Sequence, residues 1–488
     1  MSDGAGAGAT PPAPSKPLAT PLAPPLAALA RLVDIRPGEG RVLAWSWAYI
    51  FAILASYYML RPIRDQMGIA GGLENLPWLF LATLVGMLAL NVPFAWLVKH
   101  LPRARFVPLT YRFFALNIIA FAAALYTADS AGMYTAGGES AVWVGRAFFV
   151  WLSIFNLFVV SIFWATIVDV FSTSQGKRLF GFIAAGATLG AISGSAVTAT
   201  LARSVPTWGL LLAAAVLLEA AVFAMRGLSR LSERLHAVPE ARARAGLGGS
   251  PFAGITRTLA SPYLLNISGF LLLFSITSTF LYFEQAGIAK RSFPDRGAQT
   301  AFFAGVDLAV NVLTLGIQLF LTGRITRRIG VGPTLALLPA ASVLGFAALA
   351  VSPTITAIVA FQVLRRAGNF AIARPIREVL FTVVPREDRY KAKSFIDTVV
   401  YRCGDQIGAW SYAGIAALGL GSTAVAVAAV PLSAAWLVNS LWLGRAQAAR
   451  QGGAEAGDTR QRPAEAQDMR QRPAEAEDTR QRAGEARG

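Results

Sequence analysis

The chain has 488 residues, 55% of them hydrophobic and only 15% charged, with a mean hydropathy of +0.51 and a formal net charge of +17. A soluble globular protein of this length does not need so apolar a composition, so the chain is expected to lie in a lipid bilayer. Its basic excess is spread over the segments between apolar runs instead of gathered on one domain, which argues against a nucleic-acid partner.

Residues 1–40 read as a disordered cytoplasmic leader. They are rich in alanine and proline, and Pro17, Pro21, Pro24 and Pro25 break their mild apolar run, so neither a signal-peptide core nor a helix fits. From there, hydropathy and turn breakers predict twelve membrane helices, at 41–67, 77–98, 105–126, 141–171, 179–201, 206–225, 262–283, 298–321, 331–351, 353–384, 394–418 and 422–442. The stretches 75–98, 329–364 and 406–444 contain no charged residue at all. The longest gap, 226–261, carries Arg226, Arg230, Glu233, Arg234, Glu240, Arg242, Arg244 and Arg257. The expected fold is therefore an all-α polytopic membrane protein: an N-terminal six-helix bundle at 41–225, a cytoplasmic linker at 226–261, and a C-terminal six-helix bundle at 262–443. Residues 444–488 read as a disordered tail. They repeat every ten residues, as GDTRQRPAEA, QDMRQRPAEA and EDTRQRAGEA, and are too polar to bury a face.

Alternate loops hold the basic residues: Lys99, Arg103 and Arg105; Lys177 and Arg178; the linker arginines; Arg324, Arg327 and Arg328; and Arg386, Arg389, Lys391 and Lys393. The loops near 127–140, 352 and 419–421 hold none, and only 284–297, with Lys290, Arg291 and Arg296, departs from the pattern. The positive-inside rule then places both termini in the cytoplasm of a multi-pass protein of a bacterial inner membrane.

Charge inside the spans is costly unless it has a function. In the first predicted helix Tyr57, Arg61 and Asp65 follow one face at i, i+4 and i+8, with Arg64 beside them. This cluster either lines a site or reaches water at the helix end. The fifth helix shows a glycine ridge, Gly181, Gly186, Gly190 and Gly194, expected to pack the two moving halves closely. Glu219, in the sixth, has no sequence neighbour that explains it. Asp307 stands alone in the eighth, followed by Asn311 and Gln318, and reads as a gating partner or as a proton or cation site.

The tenth helix carries Arg365 and Arg366 ~18 Å along its axis from Pro353, near the midplane of a ~30 Å hydrocarbon core and beyond easy snorkelling. Arg377 lies three turns farther on the same face, with Asn369 alongside. These residues read as the wall of an aqueous cavity that attracts anions, or as members of structural ion pairs. In the eleventh helix Asp397, Tyr401 and Asp405 share a face, and Arg402 is placed to pair with Asp405. They are latches or substrate contacts.

Cys403 is the single cysteine, so there is no disulfide framework or cysteine metal site. His100 and His236 both fall in predicted loops, which leaves no buried imidazole for a metal or proton relay. No GxxxxGKS/T loop is present either, so any transport is secondary. No catalytic constellation, metal or cofactor is expected.

Three stretches carry a family resemblance: YYMLRPIRD at 57–65, IFWATIVDVFSTSQGKRLFGFIAAGATLGAISG at 162–194, and the charge-dense segment 374–408. The chain resembles the ATP/ADP translocase (nucleotide transporter) family, which is related to the major facilitator superfamily. The resemblance implies a major-facilitator-like fold and nucleotide exchange. The family's helix-one basic–acidic pair matches Arg64 and Asp65, its basic–x–acidic cluster matches Arg377 and Glu378, and its K-x-K-x-x-x-x-D pattern matches Lys391, Lys393 and Asp397. Arginine in place of lysine keeps the charge and favours bidentate recognition of phosphate or carboxylate. Two departures count against strict ATP/ADP exchange. Residues 141–168 contain no carboxylate where the family has a glutamate, and Asp405 stands where it has a lysine.

The leading expectation is a secondary transporter that exchanges a small anionic solute, ATP/ADP, another nucleotide, or another phosphorylated or carboxylated compound, by alternating access. Tyr57, Arg61, Arg64, Arg365, Arg366 and Arg377 are the expected substrate contacts. Asp65, Asp307, Glu378, Asp397, Arg402 and Asp405 are the expected gating or coupling residues. The alternatives are a proton-coupled facilitator of a non-anionic solute, with Asp307 or Asp397 titrating, and a membrane assembly or lipid-handling protein that does not transport.

Overall fold

The computed structural model describes residues 35–36, 39–101, 103–131, 139–235, 253–385 and 392–452. Most of the leader, the centre of the linker with His236, the loop residues Arg386, Arg389 and Lys391, and the tail from 453 onward lie outside the described residues. Everything described is helix or short connection, with no strand among the described residues.

The first half comprises α1 (Glu39–Ala70), α2 (Leu76–His100), α3 (Arg103–Ser130), α4 (Glu139–Val170), α5 (Thr173–Leu201) and α6 (Thr207–Leu235). The second comprises α7 (Pro262–Ser292), α8 (Arg296–Phe320), α9 (Val331–Val351), a broken α10, a broken α11 and α12 (Ser422–Gly452). Ten of these helices are long and apolar enough to cross a membrane. The other two, α10 and α11, carry the charges and the breaks. The arrangement is the all-α polytopic one that the hydropathy pattern predicts.

Local chemistry sets several boundaries. Ser172 caps α5 in a reciprocal capping box with Gln175. Ser261 caps α7 ahead of Pro262, whose missing N–H costs nothing in the first turn, and Asp295 caps α8 through the Ala298 N–H at 2.6 Å. Glu39, in the first turn of α1, accepts from Arg178 at 2.9 Å and Gln175 at 3.0 Å, tying the start of α1 to α5.

Three features differ from the sequence-based expectation. The predicted helix 353–384 is three pieces: Ile355–Gly368, a π-helical turn Asn369–Ala373, and Arg374–Leu380. Pro375 explains the break, because it has no N–H to donate and its ring crowds the carbonyl of residue 371, so the ladder widens just before it. In α11 a second π turn, Ile396–Val400, precedes Tyr401–Ala417. At the chain's other end α12 runs to Gly452, ten residues past the predicted 442. Its last turns, rich in Ala, Gln and Arg, favour helix although their hydropathy has already fallen.

The glycine ridge also has a different role from the one expected. A side chain at Gly186 would meet the Trp47 ring, and at Gly190 and Gly194 the carbonyls of Phe51 and Ala55, all on α1. The ridge therefore seats α5 on α1 inside the first half, backbone against backbone, and does not lie between the halves. Gly181 faces open space. Another face of α5 packs on α8 across the midline.

Replacement of Gly194 by leucine is expected to force these two backbones apart and lower stability by about 3 kcal/mol, seen as a lower thermal midpoint in detergent. Gly181→Ala should leave the midpoint unchanged or slightly raised.

Candidate functional site

The two halves interlock at the end where α1 and α7 finish. Ile69, Leu76, Leu79 and Phe149 of the first half share an apolar cluster with Phe283, Ala286, Ala289, Phe303 and Ala409 of the second. Trp78 meets Trp410 edge to face at 4.9 Å, and Phe80 packs on Tyr282 and Phe283. Gly297, at the start of α8, lies against the Ala202 carbonyl.

Behind this seal lies a cavity of about 480 Å³ walled by both halves. Seven arginines line it (Arg61, Arg64, Arg365, Arg366, Arg374, Arg377 and Arg402) against three aspartates (Asp65, Asp397 and Asp405), and Asp307, which pairs with Arg61 and Arg366 from behind the wall, leaves an excess of three positive charges. Aromatic rings from Tyr57, Phe80, Phe149, Phe274, Tyr282, Phe370 and Tyr401 fill much of the rest. Such a wall carries a positive potential and offers flat surfaces for stacking.

The charged residues form four groups. At the seal, Arg61 of α1 and Arg366 of α10 both approach Oδ1 of Asp307 on α8, at 3.3 and 2.7 Å. Neither contact has the alignment of a hydrogen bond, and Asp307 Oδ2 is buried without a partner. This triad spans the two halves and holds an acid that is poorly satisfied. One turn along α1, Arg64 grips Asp65 Oδ1 with two nitrogens at 2.9 and 2.6 Å, and Tyr282 of the other half donates to the same oxygen at 3.2 Å. Arg64 also lies over the Phe149 ring and reaches the Ser153 hydroxyl.

Farther along, at the widened turns, Arg377 pairs with Asp397 at 3.1 Å. Outside it the exposed pair Lys393 and Glu378 closes the same α10–α11 junction. On α11, Arg402 pairs with Asp405 at 3.1 Å, while Ser275 and Thr279 of α7 donate to Asp405 from the opposite side.

Arg365 and Arg366 are neighbours in sequence but point about 100° apart around the helix. Arg365 is 2% exposed and donates to Ser342 at 3.1 Å, Ser278 at 2.6 Å, Thr277 at 2.6 Å and the Phe274 carbonyl at 3.1 Å. The Phe274 and Trp436 rings flank it. All these hydrogen-bond partners are neutral, so the charge is uncompensated while four of the five N–H donors are satisfied. Arg365 anchors α10 to α7 and α9 and contributes its field to the cavity.

Three residues passed over in the sequence acquire roles here. Arg374 lines the cavity, is exposed, and has no ionic or hydrogen-bond partner among the described residues. Its place one turn before Arg377 was the available signal. Glu219 finds Arg112 on α3, at 2.6 Å on the outer surface. Glu284 is buried because α7 runs past the predicted end at 283. It accepts from Tyr412 at 3.1 Å, and its second oxygen has no partner. Among the described residues no group of acids, histidines or cysteines is placed to hold a metal.

No family model matches the chain. It is similar to carrier proteins of two Chlamydia species. The ADP,ATP carrier protein 1 of Chlamydia trachomatis serovar D is 24% identical over 341 residues, 60% of this chain and 64% of that protein. The ADP,ATP carrier protein 1 of Chlamydia muridarum is 23% identical over 342 residues, with the same coverage. The chain thus spans less than two thirds of the length of these curated relatives. Among solved structures, a bacterial homologue of the iron transporter ferroportin in an inward-facing state superposes with a TM-score of 0.58 at 14% identity, covering 83% of this chain and 98% of that one. The nucleoside transporter NupG superposes with a TM-score of 0.52 at 14% identity, covering 83% and 99%. These likenesses establish the fold of a multi-pass membrane protein whose relatives and neighbours are transporters, not enzymes.

The different commitments of the adjacent arginines are measurable. Arg365→Ala leaves buried hydroxyls and a carbonyl without donors and is expected to cost about 3 kcal/mol or more, whereas Arg366→Ala should leave the thermal midpoint within about 1 kcal/mol equivalent of the parent.

Proposed function

We propose that the chain is a secondary transporter that exchanges an organic anion bearing phosphate or carboxylate groups, with a nucleotide as the best-fitting class. The observation that carries this reading is the excess of arginine over aspartate in a cavity shared by the two halves. Arginine forks suit phosphate and carboxylate oxygens, and the many rings offer a face for a base. Similarity to the chlamydial ADP,ATP carriers supports the same class.

The division of labour follows from the pairing. Among the described residues Arg61 and Arg366 meet no carboxylate but Asp307, through unaligned contacts, with Arg61 also lying over the Tyr58 ring, so an incoming anion can take over both at little cost in hydrogen bonds. Arg374, with no ionic or hydrogen-bond partner among the described residues, is a first point of capture one turn inward of the Arg377–Asp397 pair, and Arg366 follows it toward the seal. Asp307 is an internal stand-in for the substrate's charge. When the solute takes its place, the bond across the halves at the seal is released, and alternating access follows from that release. The positive-inside pattern of the loops supports an external position for the seal, which makes this conformation inward-open.

Asp405 bears on the identity of the solute. Its charge is matched by Arg402 and bound by Ser275 and Thr279, so this part of the wall offers no net attraction where the resembled family has two cations. Together with the carboxylate missing from 141–168, this supports an anion other than the ATP/ADP pair. Glu284, with its unpartnered oxygen, favours a second reading: proton-coupled movement of a solute, in which the carboxyl gains and loses the coupling proton.

Uptake into proteoliposomes, with nucleotides, sugar phosphates and dicarboxylates as competitors at two external pH values, separates the readings. One anion class should compete, and Arg366→Ala should reduce its uptake about 100-fold, the effect of one lost charge-assisted contact. Uptake driven by the pH gradient and unaffected by Arg366→Ala would overturn anion exchange in favour of proton coupling through Glu284.

A further inference from the structure

A second built recess lies outside the transport cavity. Between α2 and α4, on the outward face, is a groove of about 480 Å³ lined by Trp78, Leu79, Val150 and other apolar side chains, with Arg146 at its edge. Trp78 and Trp143 are each 58% exposed and bracket it. In a chain that crosses a bilayer, this face meets lipid.

The groove's depth in the membrane follows from its neighbours. Arg146 reaches the carbonyl of Gly71, just past the end of α1, at 3.4 Å, and the groove begins at Asn75, where α2 starts. It therefore lies at one membrane surface, the level at which tryptophan rings settle and phosphates are found. The chain's remaining feature here is an unmet donor. Arg146 Nε is buried without a hydrogen-bond partner, its guanidinium lies over the Trp143 ring at 4.7 Å, and no carboxylate pairs with it among the described residues. The free N–H groups in the first turn of α2 add positive potential beside it.

We propose that this groove binds an anionic phospholipid, with the phosphodiester on Arg146 and the upper part of one acyl chain along Trp78, Leu79 and Val150. The phosphodiester complements a guanidinium that no carboxylate matches among the described residues, and the apolar wall below it complements a chain running into the bilayer. A free phosphate would leave that wall uncovered. Trp78 is also the residue that meets Trp410 of the other half at the seal. A lipid on its outer side supports α2 where the halves close, so occupancy favours the sealed state. The inference does not depend on which solute is transported.

A second outward-facing arginine provides the control. Arg112 lies on the exterior of α3, but Glu219 already neutralises it. Full-length protein is titrated in detergent with spin-labelled phosphatidylglycerol, and the immobilised fraction is read by electron paramagnetic resonance for the parent, Arg146→Gln, Arg146→Lys and Arg112→Gln. Arg146→Gln should lower the affinity about tenfold, as expected for one lost charged hydrogen bond. Arg146→Lys should recover part of it, and Arg112→Gln should bind as the parent does. Unlabelled phosphatidylglycerol should displace the probe, while inorganic phosphate and a diacylglycerol should not. Equal binding by the parent and Arg146→Gln overturns the site, as does equal loss in Arg112→Gln. Displacement by inorganic phosphate overturns the lipid assignment. Thermal midpoints of the variants, expected within a degree or so of the parent because Arg146 is part-exposed, exclude misfolding as the cause.

Discussion

One aspartate shared by two arginines holds this molecule in the state described. Asp307 lies on α8, Arg61 comes from the opposite half and Arg366 from the helix beside it, so the attraction crosses the plane along which the bundles must separate. A buried ion pair is weak evidence for stability, because desolvation offsets most of its attraction. Its value is in specification: with Asp307 present the two cations tolerate each other across the midline, and without it they repel. The unaligned contacts and the unpartnered Oδ2 mark this acid as replaceable. In the proposed exchange, a carboxylate that a phosphate displaces would serve as the gate, since an empty carrier would then remain locked.

Around that exchangeable centre the other charges are fixed. Arg365, one position away, donates to four neutral oxygens and holds α10 against α7 and α9. Asp405 is bound from two helices, and Arg64 and Asp65 are locked to each other. Arg377, one turn past the π turn of α10, pairs with Asp397 inside the π turn of α11. Regular helices there would present these side chains at a different angle; the widened turns, one of them forced by Pro375, aim them into the cavity. Rigid walls with one labile pair concentrate the conformational response at the seal.

Much of this was legible in the chain. Unbroken apolar runs such as 75–98 identify spans because the bilayer demands them, and Arg365 and Arg366 stood out because charge so far from a helix end needs a reason. Helical spacing found Arg402 with Asp405, which are local. It did not find Asp307 with Arg61 and Arg366, or Arg377 with Asp397, because those partners are distant in sequence and only packing joins them. The glycine ridge on α5 was read correctly as a close crossing and assigned to the wrong neighbour, since a small-residue stripe does not name what it touches. Glu284 was missed for a different reason: hydropathy ends a helix at the first polar run, while the backbone of α7 continues and takes the carboxyl inside.

The central claim is that Asp307 holds the seal by neutralising Arg61 and Arg366. Spin labels at Trp78→Cys and Trp410→Cys, in a Cys403→Ser background, report the separation of the two halves at that end by double electron–electron resonance. With Asp307→Asn the account predicts a second, longer distance population, because the two guanidiniums then face each other uncompensated. A distribution identical to that of the parent would contradict it.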